Sequence, residues 1–480
     1  MLRKDFTADK EIERATVYAT ARGIYEMSIN GQRVGDEYFT PGNSDYRQQI
    51  QYTSYDVTDL LQQGKNTIGA TLASGWYGDE SSFNVTNYNY YGDRQSFLAM
   101  MEIKYTDGTS SIVKIDDTWQ YYGEGPVRYA GNFNGETYDA NLEAAVAGWN
   151  TPDYDSSAWR AATVMDSKVS GYEPKIVAKT DEGVKQVETL DATFVSKETR
   201  GDDNHTVYIY DMGTNMVGIP QITLPEGKAG QQIVVRYAES IYPDLPEDNE
   251  YNYGDLAGLI LTENYRTALS TDYYTMKGAE GGETFTPEFT YHGYRYIEIS
   301  GVDEQIPEEN IKGIVLSSIT EQASQFDSSN ELVNQLFENI MRSTYGNHLS
   351  IATDCPQRDE RLGWSGDAQV FSRTATYMAD MNSFYGNFLS LMRDAQNKTN
   401  GTYAMYAPSY GDVGAGGTLG YCWSAAGVIV PYETYLQYGD TSVVKEHYGS
   451  MKLHMEGMMS QKMSGKEYLT SNTGFLADHL

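Results

Sequence analysis

The sequence predicts a multidomain chain in which two antiparallel β-rich domains precede a helical one. Its 480 residues exceed what one hydrophobic core serves, so about three domains are expected. Up to about residue 165, and again from about 180 to 318, apolar residues alternate or run in short stretches punctuated by Asn-Gly, Asp-Gly and Pro-Gly. After residue 325 the apolar period changes abruptly to a helical one.

The first domain is placed at 1–168. Gly23 to Ile29 alternates, Ser96 to Ile103 is a mixed apolar run, and Asn30-Gly31 and Asp107-Gly108 sit where a hairpin needs positive φ. A sandwich or jelly roll is the economical architecture. A second β-sandwich is placed at 180–320, with Thr206 to Tyr210 and Gln232 to Tyr237 as strands and Asp244 to Asp255 as an acidic, Tyr-rich loop. In the third stretch, 325–480, Leu332, Leu336 and Ile340 share one helical face, and Phe384, Phe388, Leu391 and Met392 another. Met451, Met455 and Met458 read as core filling, because Met packs irregular gaps between helices. The Gly-rich run Gly411 to Gly420 reads as a long loop between helical hairpins; it follows no strand and lacks a phosphate-loop Lys.

A net charge of −32 argues against nucleic acid and anionic membrane surfaces as partners, while a neutral ligand is compatible with it. Forty-one Tyr and six Trp suit both β structure and stacking on the apolar faces of sugar rings. Cys355 and Cys422 imply no disulfide framework, and a reducing compartment is the default. No apolar run is long enough to span a membrane and no signal-peptide core follows Met1, so a cytoplasmic location is expected. His205, His292, His348, His447, His454 and His479 are scattered without metal spacing and read as structural, although His447 and His454 share a helix. Asn84-Val85-Thr86 and Asn397-Lys398-Thr399 match the glycosylation pattern, which has meaning only after secretion.

The densest chemistry lies in residues 354–367, Asp-Cys-Pro-Gln-Arg-Asp-Glu-Arg-Leu-Gly-Trp-Ser-Gly-Asp, where four carboxylates, two guanidinium groups and an indole share one turn-rich stretch. Such groups cannot all be buried without partners. Neighbouring carboxylates push their proton affinities apart, and an indole beside one raises it by desolvation, which suits cleavage of a glycosidic bond. The alternative is a structural turn in which Arg358 and Arg361 neutralise Asp354, Asp359 and Glu360. Cys355 reads as packing, since flanking carboxylates disfavour its thiolate.

The chain resembles the bacterial α-L-rhamnosidases, inverting glycoside hydrolases of family 78. The resemblance rests on Tyr25 to Gly35, Pro41-Gly42 with Asp45-Tyr46-Arg47, Tyr55 to Thr58, Gly75-Trp76-Tyr77, Phe285 to Tyr296, the 354–367 motif, Trp423 and Val428 to Tyr432. It implies two β-sandwich domains followed by the N-terminal part of an (α/α)6 barrel. It implies hydrolysis of terminal α-L-rhamnosyl groups from glycosides or polysaccharides, with Glu360 as general acid. Asp354, Arg358 and Asp367 resemble the residues that bind sugar hydroxyls, and Trp364 and Trp423 would supply an apolar wall for the methyl group of rhamnose. Asp359 could instead be a partner of Arg361. No cofactor or metal is required, although the resemblance allows calcium in the N-terminal domain, where Tyr88 to Asp93 is a candidate sugar-binding surface or an edge loop. Many relatives carry Asp at the position of Ala425, which bears on subsite detail. The family's general base lies farther along the barrel than Leu480, and only about half of the twelve barrel helices are expected here. The readings are therefore an active rhamnosidase, an incomplete fragment that binds rhamnosides without turnover, or a half barrel completed by a second chain, with self-association allowed.

Overall fold

The computed structural model describes residues 1–80, 88–201, 205–410, 420–460, 462–463 and 466–470. Asn84 to Thr86, Gly411 to Leu419, His479 and Gly474 to Asp478 lie outside the described residues.

At the first hairpin Asn30 and Gly31 take φ of 51° and 82°, the two successive positive values a type I′ turn requires, between strands Ile24–Ile29 and Gln32–Arg33. Gly108 likewise takes φ 81° between Ser96–Tyr105 and Ser110–Lys114. These strands belong to two sheets. One runs in the order Arg160–Ala161, Gln120–Tyr121, Leu2–Ala8, Gly64–Ala73, Ile24–Ile29, Gln32–Arg33; the other runs Lys175–Ala178, Gln49–Asp56, Ile12–Arg22, Ser96–Tyr105, Ser110–Lys114. The alternating inward residues of both, among them Val17, Ala19, Met27, Ile68, Ala70, Phe97 and Met101, meet in one core.

The second β region is organised by the 20-residue strand His205–Leu224. Gly213 takes φ 77° and the register shifts between Asp211 and Met216. The first half of the strand pairs with Thr193–Arg200, and the second half with Ile311–Ser317 and Glu283–Phe285. Two strands from earlier in the chain, Val127–Gly131 and Gly135–Asp139, join this sheet, the latter pairing in parallel with Thr271–Thr275.

Among the described residues the helical region contains five helices of thirteen or more residues: α1 (Glu331–Asn347), α2 (Ser365–Met378), α3 (Asn382–Ala395), α4 (Ala426–Tyr438) and α5 (Thr441–Ser460). On α3 the expected face is buried: Phe384, Phe388, Leu391 and Met392 all lie in one core with Ala375, Ala426 and Val430. Two other stripes differ from expectation. On α1, Leu332 is 81% exposed and Leu336 is exposed, and the buried residues are Met341, Thr344 and Gly346. On α5, Met455 is exposed and Met451 and Met458 are half-buried, whereas Val443, His447 and His454 face inward. The helical period holds in both; which face finds a partner depends on neighbouring elements, which periodicity does not encode. Among the described residues no helix is long and apolar enough to cross a membrane.

All three regions contribute to a single aromatic core. Ile24, Phe39, Tyr46, Trp76, Tyr77 and Tyr91 come from the first, Val217, Ile219, Phe289, Tyr291 and Leu316 from the second, and Leu349, Leu362, Trp364, Tyr406 and Tyr410 from the third. Because Leu362 is fully buried at this junction, Leu362→Ala is expected to cost about 2–5 kcal/mol. A lowered urea midpoint, read by tyrosine fluorescence and by circular dichroism, checks it.

Candidate active site

The 354–367 stretch folds back on itself between α1 and α2. The Asp354 amide donates to the Leu362 carbonyl at 3.1 Å, and the Leu362 amide returns a bond to Asp354 Oδ1 at 3.2 Å. Arg361, at φ 49°, points its guanidinium down into the protein, donating to the carbonyls of Asn132 (2.6 Å) and Tyr291 (3.1 Å) and lying 4.4 Å from the Tyr291 ring centroid. The turn is thus pinned to the second sheet and to the hairpin from earlier in the chain that joins it. Gly293 permits the close approach, since a Cβ there would meet the Gln357 backbone at 3.1 Å.

This anchoring turns Glu360 into a buried pocket where it is 6% exposed. Its Oε1 accepts the indole N–H of Trp364 at 3.0 Å. Its Oε2 accepts from Arg358 Nε at 3.0 Å and lies 2.9 Å from Arg358 Nη2. Arg358 also reaches Asp354 Oδ2 at 3.4 Å. The carboxylates of Asp354 and Glu360 therefore share one guanidinium, and burial, followed by the charge of Glu360, pushes the Asp354 carboxyl up to about 7. Asp354 thus keeps its proton to far higher pH than an ordinary carboxyl. Burial and Asp354 also push the Cys355 thiol far up, so it is no nucleophile.

The other expected residues are brought close. Trp364 packs edge-on against Tyr406 at 5.4 Å and begins α2, whose first turn carries the exposed Asp367. Trp423 lies across Gly366, where a Cβ would come within 2.7 Å of its Nε1. Arg361 binds carbonyls; the partners of Asp359 are Thr267, whose hydroxyl donates to Oδ2 at 2.5 Å, and Arg266, whose Nη1 lies 3.6 Å from Oδ1. Arg266 also reaches Glu360 Oε2 at 3.2 Å. Thr267 sits 92 positions before the Asp359 it binds, in a loop with no compositional signal, and sequence reasoning missed both it and Arg266. Glu239, beside Arg358 and accepting from Asn215 at 2.8 Å, was missed for the same reason.

Asp354, Cys355 and Glu360 place ligand atoms within 4.8 Å of one another, but Arg358 already supplies the positive charge to both carboxylates. The described residues of the Tyr88–Asp93 tract do not fit calcium, which takes six to eight oxygens. Tyr91 is buried in the shared core, Tyr90 accepts from Arg47 at 2.6 Å, and the Arg47 guanidinium lies 4.6 Å from the Tyr90 ring centroid, where it would repel a cation. A separate cavity of about 1320 Å³ lies in the first β region beside Trp149 and Glu26 and includes no residue of the motif. The site is assigned by its chemistry rather than by that volume.

Comparison with known proteins agrees with the geometry. Residues 10–188 match the α-L-rhamnosidase N-terminal domain, 202–317 the bacterial α-L-rhamnosidase concanavalin-like domain, and 321–480 the bacterial α-L-rhamnosidase six-hairpin glycosidase domain. The chain belongs to the bacterial α-L-rhamnosidase family. A curated α-L-rhamnosidase of Streptomyces avermitilis is 37% identical over 95% of this chain and 42% of the relative, and one of Formosa agariphila is 34% identical over 99% and 48%. The crystal structure of the Streptomyces avermitilis enzyme complexed with L-rhamnose superposes with a TM-score of 0.87 at 35% identity, over 96% of this chain and 42% of that one. The Dictyoglomus thermophilum α-L-rhamnosidase gives 0.84 at 34% identity, over 98% and 48%. The chain spans about half the length of these relatives.

The raised Asp354 carboxyl makes the stability of this rhamnosidase-family site depend on pH. The unfolded chain releases that proton near 3.8, whereas the folded chain keeps it to about 7, so folding stability contributed by this group falls as pH rises through that window. Asp354→Asn removes the titration. The melting temperature of the variant relative to the parent is expected to rise between these two values and level off above them, measured by calorimetry across pH.

Proposed function

We propose that this chain is the acid-bearing part of an α-L-rhamnosidase that hydrolyses terminal α-L-rhamnosyl groups of glycosides or polysaccharides by inversion, with Glu360 protonating the leaving oxygen. The observation that carries this reading is the buried carboxyl of Glu360, held on Oε1 by the Trp364 indole and on Oε2 by Arg358, beside an Asp354 that keeps a proton near neutrality. A neighbouring carboxyl that keeps its proton near neutrality can supply what an acid needs to give. Asp354, Arg358 and Asp367 would hold sugar hydroxyls, and the Trp364 and Trp423 rings would form the wall against the sugar methyl. The L-rhamnose bound to the Streptomyces relative supports the substrate class.

Inversion requires a second carboxylate about 6.5–9.5 Å from the acid, with room for water between them. Asp354 lies within 4.8 Å of Glu360 and shares its guanidinium, which leaves no such room. This favours one second reading, that these residues bind rhamnosides without turning them over. The outward apolar face of α1, with Leu332 and Leu336 uncovered, is consistent with it, because that face needs a partner the described residues do not supply.

Glu360→Gln is expected to lower kcat by roughly a hundred- to ten-thousand-fold on an alkyl rhamnoside, and by less on p-nitrophenyl α-L-rhamnopyranoside, whose leaving group needs little protonation. Equal losses on both substrates would count against Glu360 as the acid. Saturable L-rhamnose binding by calorimetry, with no release of either aglycone, would establish the second reading.

A further inference from the structure

Around Glu360 the charges do not balance within the motif. Asp354, Asp359 and Glu360 are three carboxylates, and Arg361 is turned away to backbone carbonyls, which leaves Arg358 as the motif's one guanidinium among them. The second cation comes from the second β region. Arg266 follows the short 3₁₀ helix Glu263–Tyr265 and takes φ 59°. Two contacts pin its loop: the buried Tyr265 hydroxyl donates to the Gly293 carbonyl at 2.7 Å, and Thr267 holds Asp359 through its amide and its hydroxyl. From there the Arg266 guanidinium, 44% exposed, stands between Asp359 Oδ1 and Glu360 Oε2.

We propose that Arg266 is a positioning residue for proton transfer, whose guanidinium offsets the carboxylates around Asp354 and keeps a transferred proton off Oε2 of Glu360. The proposal rests on Glu360 being the acid. Oε2 faces N–H groups of both Arg358 and Arg266, more donors than its lone pairs accommodate, so a proton there would meet guanidinium hydrogens. Oε1 accepts only the Trp364 indole among the bonds described, and it retains a lone pair. The proton is therefore directed to Oε1 or to Asp354.

Other titratable groups face the cluster. Cys355 and Asp367 face Asp354, Glu80 of the first β region faces Asp359, and Glu239 faces Arg358. Burial raises the carboxyls of Glu80 and Glu239. Removing Arg266 leaves one positive charge against three carboxylates, and the cluster answers by holding its protons to higher pH.

The test compares Arg266→Met and Arg266→Gln with Arg266→Lys in the same chain. The Asp354 carboxyl, ¹³C-labelled and assigned by its loss in Asp354→Asn, is followed by NMR through its titration near pH 7. The midpoint is expected to rise by about one pH unit in the Met and Gln variants and to stay near the parent value in the Lys variant. The alkaline limb of the kcat/KM profile should move with it. An unmoved midpoint in a folded Met or Gln variant overturns the proposal, as does an equal shift in the Lys variant, and so does a fall in kcat/KM with both midpoint and limb in place. If the midpoint moves while the chain shows no rhamnoside turnover, the effect of Arg266 on the carboxyl cluster stands and the reading of this chain as a hydrolase fails.

Discussion

Burial of Arg361 is the interaction on which the remaining architecture of the site depends. A guanidinium taken almost wholly out of water must find carbonyls and aromatic faces, and it finds them on Asn132 and Phe133 of the hairpin that joins the second sheet and on Tyr291, just before the strand His292–Ser300 of that sheet. The helical region cannot then shift relative to that sheet without stranding a charge. The flanking Leu362 and Trp364 enter the common aromatic core, while Asp359 and Glu360, just before the Arg, are forced into the crevice between regions. A single side chain turned into the protein is what aims its neighbours into that crevice.

The crevice is consequently a product of three regions. Glu360 and Trp364 come from the turn before α2, Arg266 and Thr267 from the second β region, and Glu80 from the first. The second guanidinium meets the carboxylates of the motif only when the pieces are packed together, which ties the chemistry of the carboxyls to domain docking rather than to the motif alone.

Much of this could be read in the sequence, for identifiable reasons. The Asn30-Gly31 turn, the strand-to-helix change of period and the 354–367 motif are local signals, and each is found where residue chemistry places it. The roles of Arg266 and Glu239, and the inward turn of Arg361, were not legible, because they depend on which loops meet across 70 or more residues. The α1 stripe shows the same limit from the other direction. Leu332 and Leu336 have helical spacing, yet spacing states only that a face is apolar and does not supply its cover. Met451, Met455 and Met458 fail similarly, since His447 and His454 take the inward positions on α5.

The parallel pairing of Gly135–Asp139 with Thr271–Thr275 joins residues 136 positions apart, as in Thr137 with Tyr273. Closing so long a loop costs chain entropy before any contact rewards it, and parallel pairing adds little per residue. That edge of the second sheet is thus costly to close, and it needs the hairpin Val127–Asp139 held in place from far earlier in the chain. During synthesis, the ribosome will have released more than half of these residues before the Thr271–Thr275 strand is present to receive it, and until then the hairpin Val127–Asp139 stands as an open edge.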